Sequence, residues 1–138
     1  MASVGVNVQI PLSISSNDGP YTLIKDYQNS VKQNLKMLIL TSQGERIMHP
    51  VFGVGIRKYL FEPLNEVTKE IIRFSIVTQA AIYMPYIVGM QIEINNASDL
   101  VQSSDEKELN SNTIIVSISY NVVSSSIRFA DSLELEIS

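Results

Sequence analysis

The chain has 138 residues, 45% of them hydrophobic and 17% charged, with a net charge of −4. That is the length of one domain; it is too apolar for a disordered chain, and no run approaches the ~20 apolar residues of a membrane helix. With no cysteine there is no disulfide framework, thiolate nucleophile or Cys-based zinc site. The single histidine, His49, leaves little for metal or acid–base chemistry, and the acidic balance disfavours nucleic acid as a partner.

In chain order, Val4, Val6, Val8, Ile10 and Leu12 alternate with Gly5, Asn7, Gln9 and Pro11, which predicts a short extended arm confined to an edge by its proline. Nothing in these first residues resembles a signal peptide, so a cytoplasmic origin is expected. Asn17-Asp18-Gly19-Pro20 reverses the chain. We expect residues 1–20 to form this arm and turn, and 21–138 to form one α+β domain. Thr22 is the expected cap of a helix carrying Ile24, Tyr27, Val31, Leu35 and Leu38 at three- and four-residue spacing and ending near Thr41. Residues 42–63 hold Gly44, Gly53, Gly55, Pro50 and Pro63, a set backbone path anchored by Phe52, Ile56, Leu60 and Phe61.

A second helix is predicted from the cap Asn65 to Met84-Pro85. Val67, Ile71, Phe74, Thr78 and Ala81 share one face and Ile72, Ile76 and Ile82 widen the stripe, so this helix should pack on two sides. Val88, Met90, Ile92 and Ile94 then alternate as a strand, and residues 95–112 read as an exposed acidic connection. Two more strands follow, 114–122 and 127–137, joined at Ser124-Ser125-Ser126. One-sided alternation after two helices predicts an α+β fold, with both helices on one face of a mainly antiparallel C-terminal sheet. Residues 1–92 carry eight basic and six acidic side chains, whereas 93–138 carry two basic and eight acidic. The acids of the last segment solubilise exposed strand faces or steer a partner.

Chemistry is poorly represented. Glu45 and Glu62 are the best carboxylate pair for glycoside cleavage, which needs two carboxylates flanking one bond, but nothing in the spacing sets their separation. His49 with Ser42 or Ser104 would make a triad only through geometry. Gly53-Val54-Gly55 lacks the remainder of a nucleotide loop. No catalytic, cofactor or metal residue is assigned.

The runs Leu40-Thr41-Ser42-Gln43-Gly44-Glu45-Arg46, Pro50-Val51-Phe52-Gly53-Val54-Gly55 and Leu60-Phe61-Glu62-Pro63 resemble the lysozyme-like baseplate wedge proteins of contractile phage tails, which are similar to type VI secretion baseplate subunits. The resemblance spans about Thr22 to Tyr120, with Gly44, Glu45, Arg46, Pro50, Phe52, Gly53 and Gly55 as its motif. It implies a non-enzymatic structural subunit without cofactors, located in the tail baseplate of a virion and assembled in the bacterial cytoplasm. The implied partners are other wedge proteins and tail sheath subunits, with tail tube or hub proteins as further contacts, and neither nucleic acid nor membrane.

Members carry a Glu-Pro-Arg motif after the second helix. Here Met84-Pro85-Tyr86 stands in that place, which implies a packing contact where the family has a bidentate arginine. The resemblance further implies that the sheet accepts a partner's strand at an exposed edge and so starts sheath assembly. The arm 4–10 and the last strand, with Ile127, Phe129, Leu133, Leu135 and Ile137, are the expected contact segments. The alternative from another class is a peptidoglycan-cleaving hydrolase of the baseplate.

Overall fold

The computed structural model describes residues 4–96 and 113–138. The connection over 97–112, and with it Ser104, lies outside them. The chain divides into two compact units, residues 1–35 and 36–138. Among the described residues no helix is long and apolar enough to cross a membrane.

In the N-terminal unit, β1 (Asn7–Val8) pairs antiparallel with β2 (Leu23–Ile24). Flanking bonds from Val6 N–H to Ile24 C=O and from Gln9 N–H to Thr22 C=O extend the ladder. Helix α1 (Tyr27–Leu40) therefore begins four residues later than the Thr22 cap predicts. Its cap is Asp26, whose carboxylate accepts from Gln28 N–H at 3.2 Å while its carbonyl accepts from Ser30 N–H. Leu23 and Ile24 sit at apolar positions that either a helix or a strand would use, and pairing with the arm decides in favour of the strand. Gln33 of α1 holds the arm, accepting from Ile10 N–H and donating to Val8 C=O, both at 2.9 Å. The arm expected as a free edge is thus paired at Asn7–Val8.

In the C-terminal unit, α1 closes at Thr41, whose hydroxyl donates to Met37 C=O at 2.6 Å. The connector then passes through a 3-10 turn at Ile56–Phe61 into α2 (Glu66–Tyr83). Asn65 caps α2 as expected, accepting from Thr68 N–H at 2.9 Å. Strands β3 (Ile87–Asn96), β4 (Ile114–Val123) and β5 (Arg128–Ile137) form an antiparallel sheet in the order β3-β4-β5.

The apolar face of that sheet carries Ile92 and Ile94 opposite Ile118 and Val116, and Leu133, Leu135 and Ile137 opposite Ile118, Val116 and Ile114. Each fully buried aliphatic side chain contributes about 1.5–3 kcal/mol, so this face is the main source of stability in the unit. Helix α2 lies along β3, with Arg73 Nε donating to Ile92 C=O at 3.1 Å.

The alternation predicted for β3 fails at one point. Gly89 has φ 62° and the register shifts between Val88 and Gln91, so Val88 faces Asn121 on the outer side and leaves the stripe of Ile92 and Ile94. A left-handed residue within a ladder inserts an extra position and reverses the side-chain sense beyond it. Glycine takes that φ without strain, and a Cβ there would also lie 3.2 Å from the Asn121 amide.

Candidate functional site

The connector is held as a rigid path. Gly44 N–H donates to Pro50 C=O at 2.7 Å, and the Glu45 carboxylate accepts from Ser42 N–H at 2.6 Å. The Arg46 guanidinium lies 3.9 Å over the ring of Phe52, which meets Tyr83 edge-on at 4.8 Å. Val54 and Gly55 then donate to Leu38 and Thr41 carbonyls, so the connector satisfies acceptors left over at the end of α1. At Gly53, φ is 106° and an added Cβ would stand 2.1 Å from Thr41 O, so no side chain fits. The seven motif residues thus meet around one turn and brace α1 against α2.

The clamp that completes this brace is Gln79, which composition and spacing did not single out. Its carboxamide accepts from Gly53 N–H at 3.0 Å and donates to Val51 C=O at 3.1 Å, on either side of Phe52. Its only signal in the sequence is a polar residue seven positions after Ile72, on the helix face that proves to be buried. Gln33 holds the arm of the N-terminal unit by the same two-bond arrangement.

Between its ends the connector presents Ile47 and Met48 to solvent. Phe61, expected as an anchor, is 87% exposed. Glu45 and Glu62 are both exposed, and His49 sits in the turn with its N–H on Arg46 C=O. Among the described residues no three His, Asp or Glu side chains group to hold a metal ion.

Two surfaces stand out for what covers them. Helix α2 buries Thr68, Ile72, Ile76, Gln79 and Ala80. Its other face leaves Val67, Ile71, Phe74, Thr78 and Ala81 exposed, with Phe74 at 74%. Among the described residues, the helix expected to pack on two sides therefore packs on one. The uncovered residues follow a four-three spacing, the seam of a helix-packing surface. Of the three residues after α2, Met84 is buried, Pro85 is exposed, and Tyr86 is half-buried with its C=O accepting from Val123 N–H at 2.9 Å.

The second surface is the outer edge of β5, which among the described residues pairs only with β4. Leu133, Leu135 and Ile137 point into the core, while Ile127 and Phe129 are half-buried. Ser124 N–H donates to Ile127 C=O at 2.9 Å and the ladder runs without a register shift. Hydrogen-bonded and open pairs alternate along an antiparallel ladder. Bonds to β4 therefore fall at Phe129, Asp131, Leu133, Leu135 and Ile137, and the backbone groups of Ala130, Ser132, Glu134 and Glu136 point outward, the Ser132 N–H being taken by the Asp131 carboxylate at 2.8 Å. What β5 offers a partner is main chain.

Within the sheet, Tyr120 is buried and its hydroxyl donates to the Asp131 carboxylate at 3.4 Å. Burial first, and the nearby carboxylate second, push this phenol far above its usual range.

The fold and these surfaces define a small α+β module with a braced connector, a bare strand edge and an uncovered helix seam. Residues 25–126 match the family model of the baseplate wedge protein gp25, and the chain belongs to that family. Among solved structures it is similar to a candidate tail lysozyme from Geobacter sulfurreducens, with 19% identity and a TM-score of 0.60 over 85% of this chain and 96% of the other. It is also similar to a chain of the baseplate complex of the type VI secretion system, at 14% identity and a TM-score of 0.59, covering 80% of this chain and 91% of that one. At these identities both likenesses show the fold alone. No curated protein matches the chain. Family membership gives it a structural role in a tail baseplate.

Proposed function

We propose that this chain is a non-enzymatic wedge subunit that attaches to neighbouring wedge proteins through the uncovered face of α2 and starts sheath assembly at the edge of β5. One observation carries the sheath half of this reading. The apolar side chains of β5 are turned inward while alternate main-chain donors and acceptors face out, which is the surface that strand addition uses. The exposed Val67–Ile71–Phe74 seam supports the wedge half, since an apolar stripe of this kind marks an interaction site. Pro85 and Tyr86 extend that surface at the end of α2. Under this reading the particle is assembled in the bacterial cytoplasm, and the subunit joins wedge proteins before sheath is added.

Deleting β5 is a poor test, because Leu133, Leu135 and Ile137 belong to the core. Ala130→Pro is better placed, since Ala130 is exposed and its N–H points outward, so the change leaves the bonds to β4 in place. We expect baseplates carrying Ala130→Pro to form without nucleating sheath, while the purified variant melts within a few degrees of the parent. Sheaths of normal number and length on such baseplates would refute the proposal. The candidate tail lysozyme among the similar structures keeps a hydrolase reading in view. Clearing of a peptidoglycan suspension that disappears with Glu45→Gln or Glu62→Gln would support that alternative.

A further inference from the structure

A surface groove of about 290 Å³ runs along the end of β5, lined by Lys36 and Leu40 of α1, Arg57 of the 3-10 turn, and Glu134, Leu135 and Glu136 of the strand itself. Its two walls differ in charge. Lys36 and Arg57 line the groove together with Leu40 and the buried Leu135 and Ile137, so they stand on the core side of the edge. Glu134 and Glu136 alternate with the buried Leu135 and Ile137, so they stand on the outer side. All four charged side chains are exposed, and among the described residues neither cation is paired with either carboxylate, although all four line the same groove. The backbone groups of Glu134 and Glu136 point outward along the same stretch, by the alternation of the β4–β5 ladder.

We infer that the strand taken up at this edge has charges of opposite sign on its two faces, with acidic side chains toward Lys36 and Arg57 and basic side chains opposite Glu134 and Glu136. The inference rests on the strand-addition reading above and adds the chemistry of the occupant. A strand hydrogen-bonded to Glu134 and Glu136 places its directly opposed side chains on their face of the sheet. Its intervening side chains turn toward Leu40, Lys36 and Arg57. Basic residues in the first set and acidic or aliphatic residues in the second satisfy both walls. The reversed arrangement sets like charges against each other on both sides, which disfavours it. The unpaired walls thus also reject wrong strands.

Two capped ten-residue peptides of identical composition test this. In the first, Glu-Lys-Val-Thr-Glu-Lys-Val-Thr-Glu-Lys, one face presents glutamate with valine and the other lysine with threonine. The second, Lys-Glu-Val-Thr-Lys-Glu-Val-Thr-Lys-Glu, exchanges the charged positions and keeps valine and threonine in place. Each is added at millimolar concentration to the full chain, with hydrogen exchange read at the amides of Ala130, Glu134 and Glu136 and affinity taken from the titration. The expected result is protection of these amides with roughly tenfold tighter binding of the first peptide, as a few cross-strand charge pairs would give. That preference should shrink in high salt and disappear with Lys36→Glu/Arg57→Glu, two exposed positions, because both walls are then acidic and each peptide matches only one of them. Equal protection by both peptides, unchanged in the double variant, would overturn the charge assignment and leave strand addition standing. No protection of β5 by either peptide would overturn both.

Discussion

Replacing Gln79 with leucine removes the clamp on the connector while keeping the volume of the side chain. Two bonds are lost, the one to Gly53 N–H within the buried core and the one to Val51 C=O nearer the surface. A buried donor left without a partner costs about 1–3 kcal/mol. Val51 is exposed, so water can replace part of what its carbonyl loses, and about 0.5–1.5 kcal/mol is reasonable there. Leucine recovers roughly 1 kcal/mol by burying extra apolar area. The net expectation is a loss of about 2 kcal/mol, out of the roughly 5–15 kcal/mol that holds a domain of this kind together.

Urea unfolding followed by circular dichroism measures this directly, and a fall in midpoint at constant slope would show that the native state alone has lost stability. Hydrogen exchange should place the new opening at Phe52–Gly55. A change below about 0.5 kcal/mol, within the range of ordinary surface substitutions, would refute the idea that this carboxamide braces the connector.

Gly53→Ala meets both a positive φ and a carbonyl oxygen at 2.1 Å, so we expect a loss of more than about 3 kcal/mol and little folded protein, scored by yield and melting. Phe74→Asp alters an exposed position and should leave the melting temperature within a few degrees while abolishing co-purification with wedge partners. Tyr120 supplies a pH prediction. Its folded phenol holds its proton well above the unfolded value of about 10, so its contribution is complete below pH 10 and is lost as pH climbs toward the folded value. Ultraviolet titration should show one of the six tyrosines ionising only as the chain unfolds, and Tyr120→Phe should flatten the alkaline fall in stability.

Strands β4 and β5 were legible because each has one wet face, and strict alternation survives wherever no extra residue intrudes. Helix α2 was bounded by chemistry that acts locally, the Asn65 side chain at one end and Pro85 at the other. The start of α1 was misplaced because the pairing of Leu23–Ile24 with Asn7–Val8 is a contact between distant residues, which spacing does not encode. Val88 was placed on the wrong face because a single left-handed glycine reverses the period without changing the composition.

The broad stripe of α2 showed that more than one side is apolar, yet only the fold shows that Ile72 and Ile76 face inward while Ile71 and Phe74 do not. In the connector, the glycines and prolines announced a fixed path. The partner that fixes it, Gln79, comes from 26 residues beyond Gly53 and had no local signature.

Whether sheath begins on the β5 edge can be read from a cryo-EM reconstruction of the assembled particle, resolved at the junction of baseplate and sheath. An extended strand from a sheath subunit is expected beside Arg128–Ile137, hydrogen-bonded to the main chain of Ala130, Glu134 and Glu136. A map in which that edge faces solvent, with the first sheath ring anchored elsewhere on this chain or on another subunit, would contradict it.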